Sequence, residues 1–323
     1  MKKLICALML VIFLFTFCSC GFTASASYPN ADRYAIGSFT YNAFAVDAVE
    51  INWTAGRVEL TESDEAELSV RETTEGLSQD QQMRWWLDGS TLRIQYWKSG
   101  YVGTLTNKEK HIVVEIPKDI SLTVKVTSGE VKAKDHQLKG VKLTATSGNI
   151  QIGAVNAEDM EIQSTSGNIQ TGPVRIQKQL KAGCTSGNIK MENVMAEKVS
   201  LDMTSGDIAS GPIDASVSMA INSTSGKVKL DAVKTASATV RTTSGNISMG
   251  LYQSGEVKIS SNSGDVTLTA LHGSGMTLDF KTNSGSFNKR KDNNQKSYHE
   301  VIGNGESKVT VSTTSGDLKV LDE

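Results

Sequence analysis

Apolar side chains recur in this chain at fixed distances from a glycine. From residue 121 onward the phrase Thr127-Ser128-Gly129 returns as Thr146-Ser147-Gly148-Asn149-Ile150, Thr165-Ser166-Gly167-Asn168-Ile169 and Thr185-Ser186-Gly187-Asn188-Ile189, then continues through Gly206, Gly226, Gly245, Gly264, Gly285 and Gly316. Successive glycines lie 19, 19, 20, 19, 20, 19, 19, 21 and 31 positions apart. Apolar residues stand seven and five positions before each glycine, as in Val141 and Leu143, Met160 and Ile162, Val199 and Leu201, Val257 and Ile259, Val309 and Val311. That alternation predicts a strand. A second short strand follows, apolar two positions after the glycine (Val131, Ile150, Ile169, Ile189, Ile208, Val228, Ile247, Val266). A third apolar point falls at seven: Val155, Val174, Val194, Ile213, Val233, Tyr252, Leu271.

Strands this short cannot bury an apolar face alone, and gain a core by stacking on the next repeat. The prediction is an all-β protein, a parallel β-solenoid of single-coil repeats, with about ten coils of 19–20 residues. Its ladders would be about 4.8 Å apart and its rod on the order of 45 to 50 Å long. A right-handed coil is expected from the crossover preference of parallel strands. Each coil turns at its glycine, a residue free of the β-carbon penalty; Gly129, Gly148, Gly167, Gly187, Gly206, Gly226, Gly245, Gly264, Gly285 and Gly316 are this corner, and the Thr and Ser columns beside them can hydrogen-bond along the stack. A phosphate-cradling loop would need one such turn opening a helix, and here none follows. The column three before the glycine, with Ala145, Ser164, Cys184, Met203, Ser223, Thr242 and Ser261, points inward, so Cys184 is expected to be a buried thiol.

Residues 33–120 differ. They hold ten aromatics, including Trp53, Trp85, Trp86 and Trp97, whereas residues 121–323 hold four. Val49 to Leu60 still carries the repeat spacing, with Gly56 at the corner, and is expected to be a degenerate first coil. Strands are predicted at Glu67–Arg71, Leu92–Trp97 and His111–Ile116, with an Asp88-Gly89 hairpin turn. This aromatic-rich region is expected to cap an otherwise open stack of strand edges. At the other end, the charges around Asp317 to Glu323 are expected to discourage end-to-end stacking. The long last interval predicts a loop leaving the rod near residues 288–305, with a basic cluster at Lys289-Arg290-Lys291.

At the start, Met1-Lys2-Lys3 precedes an apolar run from Leu4 to Phe17, too short for a comfortable membrane span, so residues 1–19 predict a secretory signal. The run ends in Phe17-Cys18-Ser19-Cys20-Gly21, which resembles a bacterial lipobox, although Phe17 stands where that motif has an aliphatic residue. Cys20 is the candidate lipidation site, residues 20–32 a tether, and the membrane a partner through two acyl chains. Ala24-Ser25-Ala26 offers an alternative exit to a secreted or periplasmic protein.

Charge refines the partner list. The chain carries 33 Lys and Arg against 35 Asp and Glu, a formal −2; loss of Lys2 and Lys3 with the signal leaves −4. No polyanion-binding excess exists, and no nucleic-acid partner is expected. Loss of Cys6 and Cys18 and acylation of Cys20 leave Cys184 without a partner, so neither a disulfide framework nor a zinc site is predicted, and no cofactor is expected.

The Thr-Ser-Gly-Asn-Ile repeats, the Ala55-Gly56-Arg57-Val58 opening and the Val114-Glu115-Ile116-Pro117 approach resemble a bacterial family of unknown function described as candidate adhesins, or β-strand-repeat proteins. The resemblance covers roughly residues 40–323, and implies an exported β-helix-like protein with no catalytic residues to transfer.

Other parallel β-helices act on acidic polysaccharides, which requires clustered carboxylates. Taken in chain order, the outward column one after the glycine runs Glu130, Asn149, Asn168, Asn188, Asp207, Lys227, Asn246, Asp265, Ser286, Asp317, and stacks no two acids. The column three after, Lys132, Gln151, Gln170, Lys190, Ala209, Lys229, Ser248, Thr267, Asn288, Lys319, holds none. The expectation is a non-enzymatic surface protein, an adhesin or envelope scaffold. A cell-wall polymer or glycan is its alternative ligand, held on a polar face of Lys132, Asn149, Gln151, Asn168, Gln170, Asn188, Lys190 and Lys229; an envelope protein remains an alternative partner, and a polysaccharide-active β-helix enzyme the lesser alternative function.

Overall fold

The computed structural model describes residues 24–25, 27–42, 45–63, 67–103, 109–271, 274–287 and 296–322; the signal segment, Cys20, Asn288 and the Lys289-Arg290-Lys291 cluster lie outside them. The repeats stack in parallel register, one coil per repeat. Val141, Met160, Leu180, Val199, Met219, Ala238 and Val257 form one column. Ile150, Ile169, Ile189, Ile208, Val228, Ile247 and Val266 form a second. Val155, Val174, Val194, Ile213 and Val233 form a third. All three columns are buried. Alternation sends every second side chain of a strand inward, and a coil offers its apolar face only to the interior, so the core is a set of aliphatic columns continuous from coil to coil.

The third column departs from the prediction at Tyr252. The register shifts by one, so that Val233 pairs with Leu251 and Leu251 with Ala270. Leu251 and Ala270 are buried while Tyr252 is half-buried. A bulky ring at a corner lined by valines would overfill it.

Seven of these corners need glycine for two reasons, and Gly129, Gly285 and Gly316 for the second alone. Gly148, Gly167, Gly187, Gly206, Gly226, Gly245 and Gly264 have φ between +122° and +150°, which L side chains rarely adopt. A Cβ on each would also fall on the carbonyl oxygen of the corner glycine in the coil below. The stacking ladder that accompanies this corner is made by the residue after the glycine. Asn149 Oδ1 accepts the N–H of Asn168 at 2.9 Å, Asn168 Oδ1 that of Asn188 at 3.0 Å, Asn188 Oδ1 that of Asp207 at 2.9 Å and Asp207 Oδ1 that of Lys227 at 2.7 Å. Hydroxyls in the neighbouring columns also bond between levels, as Ser263 does to Ser315 at 3.4 Å and Thr242 to Ser261 at 3.2 Å.

The stacking order at both ends differs from the chain order. Residues 121–133 lie directly on residues 48–60, so Gly56 does stand at the corner of a coil. The segments Thr91–Gln95 and His111–Ile116 lie on the other side of that coil. At the far end, Glu256–Ser263 pairs not with the next segment in sequence but with Ser307–Ser315, and Met276–Thr282 lies outside that. The corner column therefore runs Lys110, Gly56, Gly129 and onward to Gly264, Gly316, Gly285, twelve levels spanning about 50 Å. The predicted loop near 288–305 is corrected: Ser297–Ile302 is a strand, antiparallel to Met276–Thr282, that closes the last level. The C-terminal charges are corrected as well, because Leu318–Asp322 pairs with Val266–Ala270 inside the stack. Phe280, Phe287 and Tyr298, with centroids 5.4 to 6.2 Å apart, plug this end.

The aromatic N-terminal region plugs the opposite end. Trp53 packs edge-on to Tyr96 at 4.9 Å, Tyr96 against Trp97 at 4.8 Å, and Trp53 and Trp97 are buried. Antiparallel strands cover the edges: Arg84–Asp88 on Thr91–Gln95, through the predicted Asp88-Gly89 turn, and Glu67–Glu72 on His111–Ile116. Lys110 occupies the corner position of the outermost coil, where no further coil forbids a side chain. Its stem and ammonium fill the end of the core between the Trp53 and Tyr96 rings, 5.0 and 4.5 Å from their centroids. Nζ pairs with Glu72 at 2.8 Å and donates to the carbonyls of Gln81 and Tyr96.

Candidate functional site

The sequence-predicted ligand face divides in the structure. Asn149, Asn168 and Asn188 are exposed, but each spends its side-chain oxygen on the backbone of the next coil, and Asn188 Nδ2 also donates to Asn168 Oδ1 at 3.2 Å. Lys132, Gln151 and Gln170 line a hollow of about 750 Å³ together with Glu59, Glu192 and the close-packed turn at Gly153 and Gly172. Lys132 is paired with Glu130 at 3.2 Å and Lys229 with Asp231 at 3.2 Å. Lys190 and Lys229 lie on the same column but outside this hollow. The predicted residues are thus one face, whose amides serve the ladder and whose lysines are partly neutralised.

A larger concavity lies on the other side of the corner, where no binding residue was predicted. It is an open trough of about 830 Å³. Its two walls are the outward positions four and two before the glycine. The first wall runs Gln163, Gly183, Asp202, Asn222, Arg241, Ser260, Ser312; the second runs Thr185, Thr204, Thr224, Thr243, Asn262, Thr314 and Asn283. Between them the inward column supplies the floor, with Cys184, Met203, Ser223, Thr242, Ser261 and Thr313. The threonines are the first letter of the Thr-Ser-Gly phrase, so the column was in view as a corner feature. What concealed the trough was curvature: periodicity says which side chains point outward, not whether the surface they make is flat or hollow.

The electrostatics of the trough are uneven. Asp202 is tied, accepting from Asn222 Nδ2 at 2.8 Å and from Ser200 Oγ at 3.2 Å. Thr314 donates to Asn262 at 3.0 Å. Arg241 is exposed and has no carboxylate partner among the described residues. Cys184 sits in the floor as predicted, buried, its thiol donating to the Gly167 carbonyl at 3.2 Å, and burial pushes its pKa up. A thiol held protonated is a poor nucleophile at neutral pH.

The end rearrangement also corrects the column arithmetic for carboxylates. Because the Gly316 coil lies on the Gly264 coil, Asp265 and Asp317 are stacked neighbours. Each is built into the ladder: Asp265 Oδ1 accepts the N–H of Asp317 at 2.9 Å, and Asp317 Oδ1 that of Ser286 at 2.7 Å. Both carboxylates have a structural occupation that an aspartate shares with the asparagines above it.

Parallel coils, an interior of aliphatic columns and long polar faces define a β-solenoid repeat protein. Residues 46–211 and 186–321 each match the Toastrack DUF4097 family, and the chain belongs to it. Among solved structures it is similar to a candidate cell adhesion protein from Clostridium sporogenes ATCC 15579, at 10% identity over 90% of this chain and 100% of that one, with a TM-score of 0.26. It is also similar to a candidate adhesin from Bacteroides fragilis NCTC 9343, at 13% identity over 89% and 97%, with a TM-score of 0.36. No curated protein matches the sequence.

Proposed function

We propose that this chain is an exported, non-enzymatic surface protein of adhesin type, anchored through Cys20, whose rod holds an extended polar polymer along the trough. The trough carries the proposal. It offers hydroxyl and amide groups at one-coil intervals across eight levels, on a scaffold stiffened by continuous ladders. A polymer that hydrogen-bonds weakly at each level gains affinity from the number of levels engaged, because a rigid site has little ordering entropy left to lose. Two features support a binding role over a catalytic one: Asp265 and Asp317 are engaged by backbone N–H groups, and Asp202 by Asn222 and Ser200.

Co-sedimentation of the mature chain with purified cell-wall polysaccharide tests the reading. Retention that falls when Thr204 and Thr224 are both changed to valine supports it; retention unaffected by those changes, or none at all, refutes it. Anchoring is tested separately by palmitate labelling, expected in the wild type and lost in Cys20→Ser.

A further inference from the structure

Among the described residues, the trough wall contains one cation free to meet a ligand. Arg241 stands near its middle, flanked along the column by Asn222 and Ser260 at the adjacent levels and faced across the trough by Thr243. Its guanidinium presents a planar fork of donors that matches a carboxylate in two parallel hydrogen bonds, and the neighbouring amide and hydroxyls suit the hydroxyls of a sugar. The nearest charges along the same column are spaced. Asp202 lies two levels away, about 10 Å, and Lys281, exposed on the outermost level, lies three levels away in the other direction, about 14 Å. Lys258, beside the trough one level on, is neutralised by Glu256 at 3.0 Å.

This pattern selects among acidic polymers. A chain with a negative group on every unit would lay one against Asp202, whose carboxylate Asn222 and Ser200 hold in the wall. A strictly alternating chain does the same, because two sugars span about 10 Å, the two levels from Arg241 to Asp202. A chain with two or more neutral sugars between its acidic ones can seat a carboxylate on Arg241 and a neutral, hydroxyl-rich unit at Asp202. Like-charge rejection of the wrong ligand is as much a source of specificity as attraction of the right one. We propose that the trough recognises an extended polysaccharide in which carboxylated sugars are separated by two or more neutral ones, with Arg241 as the residue that reads the carboxylate. This rests on the reading of the trough as the polymer-binding face.

The test uses the mature, detergent-solubilised chain and deacylated gellan, whose acidic sugars are separated by three neutral ones. It is compared with the same polymer after its carboxyls are converted to amides, with hyaluronan, whose acidic and neutral sugars alternate, with polygalacturonate, and with single-stranded DNA. The proposal expects gellan to bind at least about tenfold more tightly than its amide or any of the more densely charged polymers, and Arg241→Gln to erase that preference. Arg241→Lys, keeping charge without the fork, should recover part of it. Because Arg241 is exposed, an unchanged unfolding midpoint identifies the loss as one of binding. Equal binding of gellan and its amide, weakened by Thr204→Val with Thr224→Val but not by Arg241→Gln, overturns the carboxylate proposal and leaves the polymer-binding reading standing. Equal binding of all polyanions, abolished by salt, overturns it in favour of unspecific attraction. Binding of none of the probes overturns the carboxylate proposal alone; failure on whole cell-wall polysaccharide is what removes the reading beneath it.

Discussion

Asp265 and Asp317 are 52 positions apart in the chain, yet they occupy adjacent levels of one ladder: the N–H of Asp317 donates to Oδ1 of Asp265 at 2.9 Å. The last segment of the chain is therefore an interior coil, gripped between residues 256–270 on one side and residues 276–287 on the other. The buried pair Thr313 and Thr282, bonded at 2.9 Å, reports the same order from inside the rod. A coil held on both sides leaves fewer unpaired strand edges than one added at the end, and the outermost level is then closed by an antiparallel strand.

This order is directly testable by cross-linking. Ser263 and Ser315 lie in register on neighbouring strands, their hydroxyls 3.4 Å apart, within the Cα separation a disulfide accepts. The Ser263→Cys, Ser315→Cys double variant is expected to oxidise to an intramolecular disulfide detectable by peptide mass mapping. Ser263→Cys with Ser284→Cys, adjacent if the coils followed chain order, should not.

The corner column predicts a contrast between two kinds of glycine. Gly206 has φ +124° and would place a Cβ on the Gly187 carbonyl, whereas Gly140 begins a strand with nothing near its missing Cβ. Gly206→Ala should cost more than about 3 kcal/mol, from strain and overpacking together. Gly140→Ala should stay within about 0.5 kcal/mol of the wild type. Urea unfolding of the two variants measures both.

Lys110 makes stability depend on pH in an unusual direction. Burial lowers its pKa from 10.5 to about 8, against the favourable pull of Glu72. Between those values the unfolded chain holds a proton that the folded one does not, so stability rises as pH increases from about 8 to 10.5, by up to about 3 kcal/mol. Denaturant titrations across that window should show the rise in the wild type. The double variant Lys110→Met, Glu72→Gln should lack it, and Lys110→Met alone should be the less stable of the two variants because it leaves the Glu72 carboxylate buried without its cation.

The ladder of amides predicts a third, smaller effect. Asn188→Ala removes the acceptor for the Asp207 N–H, a bond of 2.9 Å near the surface, and should lower stability by about 1 kcal/mol or less, since water can replace it. Asn188→Asp keeps that acceptor, as aspartate does at 207, 265 and 317, but loses the Nδ2 donation to Asn168 and stacks a carboxylate on Asp207, so it should also lower stability by about 1 kcal/mol or less, and more at low salt.

Much of this molecule was legible in its sequence because a repeat of fixed length admits few solutions. An inward column requires apolar residues at every level, a corner requires glycine at every level, and so Val141 with Met160 or Gly148 with Gly167 announce their partners by spacing alone. Cys184 could be placed among the buried inward positions by the same count. The assignment fails where the period fails. After Gly264 the intervals lengthen, and only the folded chain decides that Ser307–Ser315 slips inside Met276–Thr282, because that choice depends on which edge a strand can reach and cover. Lys110 is a similar case: nothing local marks a lysine as the twelfth member of a glycine column, since its place is set by the absence of a coil above it. The trough, finally, is a property of shape. The sequence by itself determined which side chains face outward; tertiary structure alone decided that two of those outward columns enclose a hollow, and that Arg241 stands in it with no carboxylate partner among the described residues.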